Sequence, residues 1–195
     1  MSGVLGGLIA AFPTPVTGAY ESIATASGTG SAGSITFSSI PATYVSLQLR
    51  CLIRDTSTAA NSSGAIGLQL NGDTSANYPV HYLQGDGTSA TAYGAAASFG
   101  QTQIDIQGAG ARWTASPSTC NVAIIDLHDY ASTTKNKTVR YLAGVDNNTG
   151  TTAGKVVLGS GLWLNTSAVT SLTLLPFATA FATNTVFSLY GIKGA

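Results

Sequence analysis

Apolar residues recur at every second position in short runs along this chain, which is the spacing of β-strands that bury one face. The clearest run is VSLQLRCLI at 45–53. Turn residues separate it from similar runs at 20–24, 34–38, 66–70, 78–83, 103–107, 119–127, 139–145, 155–164, 169–175 and 185–192. The pattern predicts an all-β protein of about nine to eleven strands, folded as a jelly-roll-like antiparallel β-sandwich.

A turn signal and a proline refine the expected strand pairing. Asn71-Gly72 directly follows a predicted strand and is typical of a two-residue hairpin turn, so 78–83 is predicted to be the returning strand. Because Pro79 has no N–H to donate to a sheet, that strand should lie at a sheet edge or begin at this residue.

Two further segments depart from simple alternation. The run 119–127 is nearly continuously apolar, which predicts a strand in the centre of a sheet. The segment 88–100 is rich in Ala, Gly and Ser and shows little periodicity, so it is predicted to be a loop.

The C-terminal stretch 161–192 carries apolar side chains on both faces at strand spacing. A strand of this kind is normally covered on both faces, within its own domain or by another chain. Leu172 and Leu174 fit the core of the chain itself. Trp163, Phe187 and Tyr190 are the candidates for a subunit interface, and the stretch therefore predicts self-association.

The first 19 residues predict an N-terminal docking arm, followed by a single β-sandwich domain over 20–195. The arm is rich in glycine, and its apolar side chains would be exposed if it stood alone, so a partner is expected to cover them. These side chains are Val4, Leu5, Leu8, Ile9 and Phe12. No Lys or Arg precedes Arg50, which argues against a secretory signal, and the apolar run is too short to span a membrane.

Charge is scarce in this sequence. Only 8% of the residues are charged, against roughly 25% in an average globular protein, and the formal net charge is zero. The surface is therefore expected to be neutral and suited to packing beside copies of itself, and no basic face for nucleic acid is predicted. Cys51 and Cys120 each lie in an apolar pattern. They are interpreted as two buried thiols or, if their strands are neighbours, as a disulfide.

The residues most suggestive of catalysis are Asp126, His128 and Asp129. Asp126 and His128 would share one face of a strand, and a carboxylate beside an imidazole can be half of a catalytic triad or a metal site. No motif places a nucleophile nearby, so a pair that satisfies backbone groups at a strand end is the favoured interpretation. His81 has no partners in the sequence pattern and is interpreted as a packing or interface residue.

Acidic turns, aromatic residues and basic residues each allow a binding interpretation as well as a structural one. Turn chemistry is sufficient for Asp73, Asp86 and Asp146, although oxygen-rich loops can bind calcium. The aromatic residues could form a sugar platform but fit a core or a subunit interface better; they are Trp113, Tyr130, Tyr141 and Trp163. The basic set could form a patch that pairs with acids of a neighbouring subunit; it is Arg112, Lys135, Lys137 and Arg140. No metal or cofactor is predicted.

Six segments carry a resemblance to a known group of proteins. They are VTGAYESIAT (16–25), SITFSSIPATYVSLQLR (34–50), LQLNGDTSANYPVHYLQGDG (68–87), IIDLHDYASTTKNKTVRYLAGVDNNTG (124–150), SGLWLNTSAVTSLTLLP (160–176) and FSLYGIKG (187–194). Their pattern resembles a widespread group of tailed-bacteriophage virion proteins that are described as tail, fibre or head-decoration proteins. The resemblance implies a structural virion protein that forms trimers, and it carries over no catalytic residues.

The sequence therefore leads to one main hypothesis and one alternative. The main hypothesis is a non-enzymatic capsid cement or decoration protein that trimerises and attaches to other virion proteins through its N-terminal arm. The alternative is a tail or fibre protein that binds a host cell-surface glycan through loops such as 55–64 and 88–100. Both place the protein in the virion, with no nucleic acid, membrane or cofactor as a partner.

Overall fold

The computed structural model describes residues 18–56, 62–112, 119–146, 154–177 and 179–194. These residues form twelve strands: β1 (Tyr20–Ser27), β2 (Ile35–Phe37), β3 (Ser46–Ile53), β4 (Ser62–Leu70), β5 (Val80–Gly85), β6 (Ala90–Ala95), β7 (Ile104–Arg112), β8 (Asn121–His128), β9 (Lys137–Val145), β10 (Lys155–Trp163), β11 (Leu172–Leu175) and β12 (Val186–Ile192). The described residues also include one 3-10 turn, at Ala97–Phe99. The predicted docking residues Val4, Leu5, Leu8, Ile9 and Phe12 lie outside the described residues, and so does Trp113.

Two antiparallel sheets pack as a β-sandwich. The large sheet has the order β1-β12-β3-β8-β9-β10-β5-β6, and the small sheet has the order β2-β11-β4-β7. The all-β sandwich predicted from alternation is confirmed, while its jelly-roll character stays a prediction. β8 occupies the centre of the large sheet between β3 and β9, as its apolar run indicates.

The core lies between the sheets and draws side chains from both of them. In β8 and β9 every second side chain is buried, so the inward face of each strand is fixed by the alternation of its sequence. The sheets approach closely at Gly161, where the Ile104 side chain of β7 fills the space that a Cβ would need. Glycine is required there because no larger residue leaves room for the small sheet.

The prediction of a hairpin at Asn71-Gly72 is wrong: the turn is present, but the strands on either side of it do not pair with each other. Both residues have positive φ angles, 54° and 64°, as the sequence indicates. However, β4 pairs with β11 and β7 in the small sheet, whereas β5 belongs to the large sheet. The Asn71 side chain holds the turn against the segment before β11, because its Nδ2 donates to the Ala168 carbonyl (2.8 Å) and its Oδ1 accepts from Thr170 N (2.8 Å). The turn therefore carries the chain from one sheet to the other.

Asp73 is the second anchor of this crossover. Its Oδ2 accepts hydrogen bonds from the buried indole Nε1 of Trp163 (2.7 Å) and from Asn77 Nδ2 (2.8 Å), and its Oδ1 accepts from Ser75 N (2.9 Å). The bond from Asn77, together with those from Ser75 and Trp163, holds the pKa of the Asp73 carboxyl well below its usual range. Turn chemistry thus accounts for this acidic residue, as the sequence indicates.

Asp73→Asn is expected to lower the free energy of unfolding at pH 7 by about 1–3 kcal/mol, because one amide oxygen cannot replace two carboxylate acceptors. The folded-state pKa lies below the unfolded value of about 3.9, so this contribution is present above about pH 4 and is lost as the pH falls through the folded pKa. Urea unfolding at several pH values should therefore show a shallower acid loss in the variant. Parallel pH profiles for the two proteins would contradict this role.

The prediction of a loop over 88–100 is wrong in part, because this segment contains β6. This strand pairs with β5 through Tyr82 and Tyr93, whose rings stack with centroids 5.2 Å apart. Its Ala, Thr and Gly residues have no clear alternation of burial, since the strand lies at the edge of the large sheet. The prediction for Pro79 is confirmed, because β5 begins at the next residue.

Candidate functional site

The outward face of the large sheet carries most of the large apolar side chains that are exposed among the described residues, and we call it the outer face. Alternation directs one set of side chains of β3, β8, β9, β10 and β5 into the core and the other set outward. On the outward set, seven large aliphatic side chains are between 41% and 61% exposed. They form what we call the apolar patch: Leu52, Val122, Ile124, Leu142, Val156, Leu158 and Leu83.

Strand register makes these side chains neighbours. In one cross-strand row, Ile124 pairs with Leu142, Leu142 with Leu158, and Leu158 with Leu83. In the adjacent row, Leu52 pairs with Val122, and Val156 follows two strands further along, beyond Gly144. Side chains directly opposite on neighbouring strands lie about 5 Å apart, so the apolar patch is continuous.

The size of the outer face matches that of a protein interface. The eight strands are separated by about 4.8 Å each and rise about 3.4 Å per residue, which gives the sheet on the order of 900 Å² of outward surface. A standard interface buries about 800 Å² on each partner. The apolar patch extends from β3 to β5, toward the strand ends that carry Leu52 and Val122, and would form the least polar part of such an interface.

Two shallow depressions cut into the β6 side of the outer face. One of about 440 Å³ is bordered by His81, Leu83, Arg140 and Leu158. The other, of about 490 Å³, lies over the apolar side chains of Leu83, Ala92, Val156 and Leu158. The outer face therefore offers recesses into which apolar side chains of a partner could insert.

A polar row borders the apolar patch and satisfies itself within the chain. Asp126 accepts hydrogen bonds from Gln48 Nε2 (2.8 Å) and from Arg140 (3.0 Å). Arg50 donates to Gln48 (3.0 Å), and its guanidinium lies 5.5 Å from the Tyr20 ring centroid and 5.6 Å from that of Tyr190. Because the carboxylate already has cationic and amide partners, this row can be covered by another chain without leaving that charge unpaired.

The catalytic reading of Asp126 and His128 gains no support from their surroundings. The two residues do lie on the same outward face, as the spacing predicts, but Asp126 is engaged by Gln48 and Arg140. Among the described residues, no group of three or more His, Cys, Asp and Glu side chains could hold a metal ion. The His81 ring lies over Gly94 of the neighbouring strand, in accordance with a packing role.

The interface assignment of Trp163 and Phe187 is wrong. Trp163 is 1% exposed and Phe187 is fully buried in a single chain, so a neighbouring subunit has nothing of them to cover. Both side chains point inward, Trp163 toward Asp73 and Phe187 against Phe181. Tyr190 points outward and is half-buried, and it stays a candidate for an interface.

Several other predicted binding groups also lie in the core or pair within the chain. Tyr130 and Tyr141 are buried, so with Trp163 they cannot form a sugar platform. Lys137 is buried and donates to the Lys135 and Thr166 carbonyls. Lys135 and Arg140 pair with Asp129 and Asp126 of the same chain, so these two cations of the predicted basic set already have acidic partners. Both cysteines are free thiols, so the disulfide alternative is excluded.

Sequence reasoning did not identify the apolar patch, although its signal is present in the strands. Val122 and Ile124 made the run 119–127 look like a strand with two covered faces, and Leu142, Val156 and Leu158 occupy the outward phase of their own strands. Only the register of the sheet shows that these outward apolar positions meet in adjacent rows.

The fold and the outer face define a class of protein: an antiparallel β-sandwich that leaves an interface-sized sheet face uncovered in the single chain. Comparison of the chain with protein-family models, with curated proteins and with solved structures finds no significant match. No helix among the described residues is long and apolar enough to cross a membrane.

Proposed function

We propose that this protein is a non-enzymatic structural building block of a bacteriophage virion, which assembles with copies of itself through the outer face. The observation that carries the proposal is the apolar patch, seven large aliphatic side chains that meet in two cross-strand rows on an otherwise low-charge chain. The resemblance to tailed-bacteriophage virion proteins supplies the setting, and within it a trimeric capsid cement or decoration protein is the role we propose.

The magnitudes are consistent with assembly. Covering seven half-exposed aliphatic side chains contributes about 1 kcal/mol each, or roughly 7 kcal/mol for each copy that joins the assembly. Association costs about 4–15 kcal/mol in lost translational and rotational freedom. The apolar patch alone therefore offsets this cost in order of magnitude, and the rest of the outer face determines the affinity.

Repetition would then strengthen a modest contact. A cement protein binds a lattice in which the same contact recurs, so each additional contact becomes intramolecular once the first has formed. Low charge favours this use, because neutral copies approach one another without repulsion. The work of such a protein is mechanical, and it needs a complementary surface rather than a reactive group.

A cysteine in place of Leu158 tests whether the outer face is covered in the assembled protein. In a Cys120→Ser background, the Leu158→Cys thiol should react with a maleimide at least about tenfold more slowly at high protein concentration than at high dilution, because only the dissociated minority is accessible. Thr133→Cys, in the exposed loop between β8 and β9 and outside the apolar patch, is the matched control and should react equally fast at both concentrations. Equal behaviour of the two thiols would overturn the proposal.

A further inference from the structure

The edge strand β6 is the starting point of a second inference. A strand at a sheet edge presents unpaired N–H and C=O groups that can pair with another strand, and proteins usually blunt such edges with charge, bulges or shortness. β6 has the sequence ATAYGA, with no charged residue and no proline, and no strand of the described residues pairs with its outer side. It is therefore open to strand addition.

The other three sheet edges carry the features that β6 lacks. β1 contains Glu21, which pairs with Lys193, and its register shifts between Ser22 and Ala24. β2 is only three residues long. β7 contains Asp105, and its pairing with β4 is interrupted by a register shift near Gly108, whose φ is 71°. Among the described residues, β6 is thus the one edge without a blunting feature.

The arm sequence is suited to this edge. In an extended strand, Val4, Leu8 and Phe12 would lie on one face with small residues between them, and Leu5 and Ile9 would lie on the other. The outward side chains of β6 are small, and the depression of about 490 Å³ lies directly beside them over Leu83 and Leu158. Strand addition takes its affinity from backbone hydrogen bonds and its specificity from recesses for alternate side chains.

Reach decides which copy supplies the arm. β1 and β6 are the opposite edges of the large sheet, seven strand spacings apart, which corresponds to about 34 Å. The six residues from Phe12 to the first described residue, Gly18, span at most about 21 Å when fully extended. The arm of one chain is therefore too short to lie along its own β6, and a second copy must supply it.

We propose that residues 4–12 of a second copy add to β6 as a further strand of the large sheet. This inference rests on the proposed self-assembly and deepens it, because it assigns the arm a site on a neighbouring copy. It also accounts for two features of the chain together: an apolar segment that needs cover, and an edge strand that nothing blunts.

Photo-cross-linking of the full chain tests the assignment. Isotopically light and heavy chains that carry a photo-reactive phenylalanine analogue at position 12 are mixed, irradiated and digested. The expected result is cross-linked peptides of mixed isotope composition that join the arm to residues 80–95. Cross-links whose two peptides always come from the same isotopic species, or mixed cross-links to other parts of the sheet, would overturn the proposal.

A lysine on each edge strand provides the matched pair. Thr91→Lys on β6 should lower the cross-link yield by about tenfold, because an edge lysine disfavours pairing with a further strand. Thr25→Lys on β1, also exposed, should leave the yield unchanged. If the cross-link is missing while the Leu158→Cys thiol stays protected, only this inference fails. If the cross-link and the protection of the thiol are both missing, the proposed self-assembly fails as well.

Discussion

Leu142→Asp is expected to convert the assembled protein into a folded monomer. Leu142 lies in the apolar patch between Ile124 and Leu158 and is 50% exposed in the single chain. Covering a carboxylate there without a partner costs about 3 kcal/mol or more, which weakens association at least about 100-fold. The single chain should remain folded, because the side chain at position 142 is half-exposed and already contacts water. Molar mass from light scattering, with circular dichroism, measures both effects.

The control for this variant lies on the same strand and the same face. Thr138 is exposed, points outward from β9 and lies at the polar end of the strand, opposite Leu162. Thr138→Asp adds the same charge outside the apolar patch and should weaken association far less than Leu142→Asp. Equal weakening by the two variants would show that net charge, rather than burial of the apolar patch, controls assembly.

Phe187→Ala is expected to lower the free energy of unfolding by about 3–5 kcal/mol, because it deletes a fully buried ring and leaves a cavity. The ring packs edge-on against Phe181, with centroids 5.0 Å apart. Since domains are stable by only about 5–15 kcal/mol, the variant should unfold at a much lower urea concentration. The measurement is urea unfolding of dilute protein, so that assembly does not contribute.

Tyr190→Ala tests the outward face of β12, the strand whose inward face carries Phe187. Tyr190 points outward from β12, beside the Arg50 guanidinium, so its loss from the single chain should cost only about 1 kcal/mol. A cost as large as that of Phe187→Ala would contradict the assignment of Tyr190 to the outer face. The pair of variants therefore tests which residues of this stretch belong to the core and which remain available to a neighbour.

Much of the fold could be predicted from the sequence because alternation is a local property. The strands around Leu47 and Val139 can be predicted because one face is mainly apolar and the other mainly polar. β6 was missed because an edge strand of Ala, Thr and Gly buries little and needs no alternation. The crossover at Asn71 was mistaken for a hairpin because the turn sequence specifies backbone angles, whereas the side-chain bonds to Ala168 and Thr170 decide where the chain goes next.

The candidate site was harder to predict because it depends on register. The sequence indicated that some strands have two apolar faces, and it located this feature in 161–192, at Trp163 and Phe187. The apolar residues that point outward lie instead in β8, β9 and β10; examples are Ile124, Leu142 and Leu158. A one-dimensional pattern cannot show which outward residues of separate strands become neighbours, since that follows from hydrogen-bonded pairing over long distances in the chain.

The most direct test of the central claim is the sedimentation equilibrium mass of the unaltered chain beside Leu142→Asp. The chain has a mass of 19.7 kDa, so the proposed trimer has three times this mass, about 59 kDa. We expect the unaltered chain to approach the assembled mass as its concentration rises and Leu142→Asp to remain at 19.7 kDa over the same range. A mass of 19.7 kDa for both proteins at every concentration would contradict assembly through the outer face.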